Sequence, residues 1–169
     1  MIEDYEVFEA IRRGYNDLHG SSDTEIISYF KSIDQDSFSG HVSHIKGILF
    51  EQEYIDSLES KHVYAEIFDA TNHPVTDVKI FQDGEVINEI QLKATDSLDY
   101  VKSSMPDNPD VTFATTTEVA NRIDSSVLID SGIENSALEQ AINDSIVNDF
   151  ANPLSPLSVV SWLFGLPFL

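Results

Sequence analysis

Residues 77–95 read DVKIFQDGEVINEIQLKAT, two runs rich in β-branched residues on either side of Asp83-Gly84. Alternating apolar and polar residues suit a half-buried strand, and Asp-Gly between two such runs signals a hairpin. The turn decides which side chains share a face, because directly opposed residues point the same way and faces alternate with period two. A two-residue Asp83-Gly84 loop would set Asp77 opposite Ile90, on the face away from Gln91 and Lys93. A three-residue loop, Gln82-Asp83-Gly84 with its glycine left-handed, sets Asp77 opposite Glu89 instead. That register gathers Val78, Ile80, Ile90 and Leu92 on one face and Asp77, Glu89, Gln91 and Lys93 on the other. Burial of a single apolar face favours it. The expected hairpin therefore carries a polar cluster.

Around the hairpin the chain alternates in kind. Before it, residues 2–18 place Tyr5, Phe8, Ile11, Tyr15 and Leu18 at helical spacing, and SSDTEIISYFKSID opens a second helix at Ser or Asp caps. Gly40 is expected to break the chain, and a third helix follows from His41 to about Ser60, with Val42, Ile45, Leu49, Ile55 and Leu58 toward the core. Residues 62–70 read as a first strand ahead of the hairpin. After Lys93 come a short helix (DSLDYVKSSM), a strand (DVTFATT), a helix opened by a capping box at TTTE, and an amphipathic helix ending near Phe150. Helices, a three-strand meander, then helix and strand describe an α/β (α+β) fold with a mixed sheet. The expected organisation is an N-terminal helical accessory region at 1–39, an α/β core at 40–125 and a C-terminal amphipathic helix at 126–150. An uncharged apolar segment at 151–169 completes it, either packed across the core or continuing into a longer protein. That segment is too short and too interrupted by Gly165 and Pro167 to span a bilayer, so no membrane span is expected.

Composition narrows the chemistry. No cysteine is present, which excludes disulfides, thiolate metal ligands and thiol catalysis. It fits a reducing cytoplasm, and MIEDYEVFEA has neither the basic start nor the apolar run of a signal peptide. Nine Lys and Arg stand against thirty Asp and Glu, a net charge of −21. Such a surface repels phosphate backbones, so avid binding of nucleic acid by charge alone is not expected. The charge suits an acidic protein that docks on a basic partner. It also leaves room for a metal-dependent site where a few lysines offset it locally. Neither a GxxxxGK loop, a GxGxxG turn nor a GxSxG elbow occurs. His41 and His44, at i and i+3, offer half a metal site, with an exposed pair as the ordinary alternative.

The polar cluster has a chemical logic. A carboxylate and a second oxygen donor hold Mg²⁺, which prefers hard oxygens and keeps several waters. A lysine two residues along the same face orients an attacking water and stabilises charge on a phosphate. Glu51, amid the apolar run KGILFEQEYIDSL, is an unusual carboxylate on a core-ward helix face. Ordinary roles stay open: Asp77 as a strand cap or Asx turn after Pro74, and Lys93 as a guard on a strand edge.

Glu51 on a helix, Asp77 after HPVT, and Gln91-Leu92-Lys93 on the next strand resemble the PD-(D/E)xK nuclease superfamily. The match is to its Gln-x-Lys variant, similar to Mrr-type restriction endonucleases, and KGILFE resembles the glycine-containing helix motif before the acid. The resemblance implies a restriction-endonuclease-like core and a metal-dependent DNA endonuclease of a bacterial or phage defence or conflict system. It assigns Asp77 and Gln91 as ligands of Mg²⁺ (or Mn²⁺), Lys93 as the catalytic lysine, and Glu51 as a further ligand or orienting acid. Lys46 would sit near the phosphate. The competing expectation is a non-catalytic acidic binding protein, a toxin-neutralising or DNA-mimic inhibitor, or an inactive nuclease fold retained for partner binding.

Overall fold

The computed structural model describes residues 1–68, 76–105 and 110–147. The expected apolar segment 151–169, the end of the last helix and most of the HPVT stretch lie outside them. The chain forms two compact units. One comprises Met1–Ile48 with the chain from Ser136 onward; the other is Leu49–Asn135.

In the first unit, α1 (Asp4–Gly14) buries Val7, Phe8, Ala10 and Ile11 while Tyr5 stays exposed. Phe8, Ile11 and Leu18 of the expected stripe are buried, Val7 and Ala10 widen it, and Tyr5 alone is left out at the helix start. α2 (Asp23–Ser32) begins at the expected cap: Ser22 accepts from Glu25 N, and Glu25 returns a carboxylate to Ser22 N, a reciprocal box that satisfies two otherwise orphaned donors. α3 (Gln35–Ser60) passes through Gly40 without a break, contrary to the sequence expectation. Gly40 lies in open space, so the helix loses only about 1 kcal/mol of propensity there. In the middle of α3, Ile48, Leu49 and Phe50 are all buried in succession, which requires cover around most of the circumference. Gly14 is where α1 meets α3: a Cβ there would lie 2.2 Å from Ile48 Cδ1. The unit closes with α6 (Asn135–Ile142), which widens into a π-turn at Asn143–Val147.

The second unit is built on a five-stranded mixed sheet in chain order, flanked by helices. β1 (Tyr64–Ile67), β2 (Val78–Gln82) and β3 (Glu85–Lys93) form the expected antiparallel meander, and β4 (Thr112–Thr115) pairs parallel to β3. β5 (Leu128–Asp130), also parallel, was not expected, because three residues are too few to show a period. Parallel pairing needs crossovers; helices α4 (Leu98–Ser104) and α5 (Thr117–Ala120) lie in those connections.

The hairpin reaches its expected facing by another route. The turn is the two-residue one: Gln82 pairs with Glu85, and Asp83 (φ 53°) and Gly84 (φ 85°) are both left-handed, as a type I′ turn requires. A bulge then inserts Ile87 opposite the Ile80–Phe81 step, so that Val78 pairs with Ile90 and Lys79 with Glu89. One further step sets Asp77 opposite Gln91. Parity is restored, and Val78, Ile90 and Leu92 are buried on one face as expected.

Candidate functional site

The polar face of the hairpin brings together Asp77 and Gln91. Gln91 Nε2 lies 3.5 Å from Asp77 Oδ2, at the limit of a hydrogen bond, and the same oxygen accepts the Leu92 backbone N–H at 2.7 Å. β2 begins only at Val78, so the carboxylate replaces the backbone acceptor that a longer strand would offer. This is a structural role other than the strand cap or Asx turn foreseen for Asp77: it completes the pairing of β3 where β2 runs out. It also fixes the carboxylate beside Gln91.

Lys93 projects from the same face two residues on. Its Nζ lies 5.4 Å from the centre of the Tyr100 ring on α4. The strand end that carries it is pinned from β4, where Thr115 Oγ1 donates to the Lys93 carbonyl at 2.9 Å and Thr116 Oγ1 to the Thr95 carbonyl at 2.5 Å. Both threonines are buried. Thr116 does precede α5, but its hydroxyl makes no cap bond, so the expected capping box is absent. Glu118 instead accepts from Asn135 N.

Glu89 and Lys79 extend the face. Lys79 pairs across the sheet with Glu66 on β1 and Glu89 on β3, and its Nζ lies 4.3 Å from the centre of the Phe68 ring. Thr76 Oγ1 donates to Glu89 at 3.0 Å. Glu51 is half-buried on the second half of α3, in the same unit as the sheet. It is placed by the helix and not by the hairpin register.

The other candidates serve architecture. Tyr15 OH hydrogen-bonds His41 Nδ1 at 2.8 Å, with the His41 ring stacked on it, and His44 meets the Tyr15 ring edge-on while its Nε2 reaches the Gly14 carbonyl at 3.3 Å. Burial pushes the Tyr15 phenol up to about 12. The histidine pair is thus a clamp on a tyrosine. Lys46 forms an ion pair with Glu139 at 2.8 Å, both side chains largely buried.

The chain matches no family model, no curated protein and no solved structure. Its site is read from its own residues.

As a donor set for a divalent ion, a carboxylate and a carboxamide supply two hard oxygens of the type Mg²⁺ takes. The carboxamide turns its nitrogen to Asp77, so shared ligation requires the amide to flip. Asp77 has an oxygen already committed to Leu92 N–H, which holds the carboxylate in place. The set fits the ion in type. Sequence reasoning missed Tyr100 and Thr115: they join Lys93 only through the crossover and the parallel pairing.

Proposed function

We propose that the polar face of β2 and β3 is a metal-dependent phosphodiesterase site, within a restriction-endonuclease-like core that acts on DNA. The observation that carries this reading is the approach of Asp77 to Gln91 with Lys93 on the same face. The order of α3, the meander β1–β3, α4 and β4 supports it. Asp77 and Gln91 would hold Mg²⁺ or Mn²⁺, with Glu51 from α3 tuning or sharing the ion. A bound ion there supplies Lewis acidity toward a phosphate oxygen and lowers the pKa of a bound water. Lys93 orients the attacking water and offsets the charge that grows on the phosphate. Thr115, through the Lys93 carbonyl, keeps the strand end in place. Water adds at phosphorus and the leaving oxygen departs with a proton, with no enzyme-bound intermediate.

The test is cleavage of plasmid, linear duplex and single-stranded DNA with Mg²⁺ or Mn²⁺. Asp77→Asn and Lys93→Met are expected to abolish cutting while the chain stays folded. Equal cutting by wild type and both variants would assign any activity to a contaminant and end the reading.

A second reading rests on the Leu92–Asp77 bond and the net charge of −21. If Asp77 serves only the sheet edge, the acidic surface is what remains to act, as a docking face for a basic protein. Folded wild type that cuts nothing but binds a basic partner with strong salt dependence favours this one.

A further inference from the structure

We infer that Tyr100 is a stacking subsite for a base of a single-stranded nucleic acid whose neighbouring phosphate meets Lys93. This rests on the phosphodiesterase reading for its phosphate but not for its binding. Tyr100 is 52% exposed, a large apolar ring left open on α4 directly beside the site. It is not an isolated surface tyrosine, because the Lys93 ammonium stands 5.4 Å from its ring centre. A nucleotide presents the same pair of features, a flat base and an anionic phosphate joined through one sugar. The ammonium stands over the ring, so a base that stacks on its exposed side brings its own phosphate close to that cation.

Charge favours a single strand over a duplex. A duplex is held mainly by neutralising many phosphates, and this chain has nine cations against thirty anions. Stacking needs no charge and works for any base, provided that the base is unpaired and can turn its face outward. The segment from Lys93 to Lys102 carries two lysines, Lys93 and Lys102, against two aspartates, Asp96 and Asp99. It is neutral within a strongly acidic protein, so this segment itself adds no net repulsion toward an approaching strand. α4 is itself held by the Ser97 cap on Tyr100 N at 3.3 Å and by buried Val101, which gives the ring a fixed base.

The test uses fluorescein-labelled oligo-dT of ten residues, and a hairpin duplex of equal phosphate count, in fluorescence polarisation with the full chain. Ca²⁺ replaces Mg²⁺, so that binding is read without cleavage. Oligo-dT is expected to bind more tightly than the duplex. Tyr100→Ala is expected to weaken oligo-dT by about ten-fold, the size of one lost base stack, with Tyr100→Phe close to wild type. Tyr5→Ala, at a still more exposed tyrosine on α1, should change nothing. Oligo-dT binding that Tyr100→Ala leaves intact, or no oligo-dT binding at all, overturns the inference. The two readings fail separately. Tyr100-dependent binding with no cutting in Mg²⁺ keeps this subsite and removes the nuclease. Duplex cutting with no preference for oligo-dT keeps the nuclease and removes the subsite.

Discussion

The two units use the same kinds of residue for opposite ends. In the helical unit, polar side chains close on one another, from the largely buried Lys46–Glu139 pair to Arg12 with its exposed acids. Lys46 meets Glu139, His41 and His44 hold Tyr15, and Arg12 bonds Glu9, Asp23 and the Ser21 carbonyl. Asp23 is the larger cause that raises the Arg12 guanidinium above its usual value. In the sheet unit, Asp77, Lys79, Glu89, Gln91 and Lys93 line one side of two strands, each half-buried or exposed. A helix brings residues three or four apart together on one face, where they meet partners from other helices. A strand deals alternate residues to a single side and leaves them open. A lysine in the first setting is a strut, and in the second the proposed function makes it a reagent.

That contrast can be broken by mutation, beginning with the largest expected effect. Phe30, 2% exposed, meets Tyr15, Tyr29, Phe38 and His41. Phe30→Ala should cost about 3–5 kcal/mol in urea unfolding, since a buried ring leaves a cavity that the cluster only partly fills. Next comes Asp77→Asn, which keeps an acceptor for Leu92 N–H but loses the charge. Its expected signature is a loss of DNA cleavage of about 100-fold or more with stability within about 1 kcal/mol. A collapse in stability with activity intact per folded molecule would show that Asp77 is only a strut, and the contrast would fail there.

The paired lysines sharpen it further. Lys46→Met removes the cation paired with the largely buried Glu139 carboxylate and should cost about 1–3 kcal/mol. Lys93→Met, at a half-buried position over Tyr100, should cost under about 1 kcal/mol in the same unfolding experiment while removing activity. Similar losses for both would merge the two classes. Smallest at neutral pH is Tyr15→Phe. The folded phenol titrates near 12 where the unfolded one titrates near its ordinary 10, so the folded state holds its proton longer. Stability from this group is fully present below about pH 10 and is lost as pH rises toward 12. Unfolding followed between those pH values should fall less steeply in Tyr15→Phe than in wild type.

The hairpin shows how much of the site was legible. Alternation and the demand for one apolar face were enough to align Asp77 with Gln91 and Lys93, because parity is all that alignment needs. The turn was misread as three residues. A two-residue turn with a bulge at Ile87 gives the same parity, and alternation cannot separate them. Ser22 and Glu25 were legible as a cap because both partners lie within one turn of chain. Thr116 was not, because its hydroxyl is taken by the Thr95 carbonyl across the parallel pairing. Gly40 was read as a break from a propensity of about 1 kcal/mol, which the packing of a 26-residue helix outweighs. Among the described residues no helix is long and apolar enough to cross a membrane.

The sequence alone determined the local physics: charge, strand and helix periods, the Ser22 cap, and the face on which Asp77, Gln91 and Lys93 stand. These depend on neighbours within a few residues, which the chain order contains. Only the tertiary structure decided that Asp77 would cap the β3 edge, that Tyr100 would stand over Lys93, and that Lys46 and the two histidines would be spent on packing. Those outcomes are set by which elements come to lie side by side, and a one-dimensional pattern holds no measure of that distance.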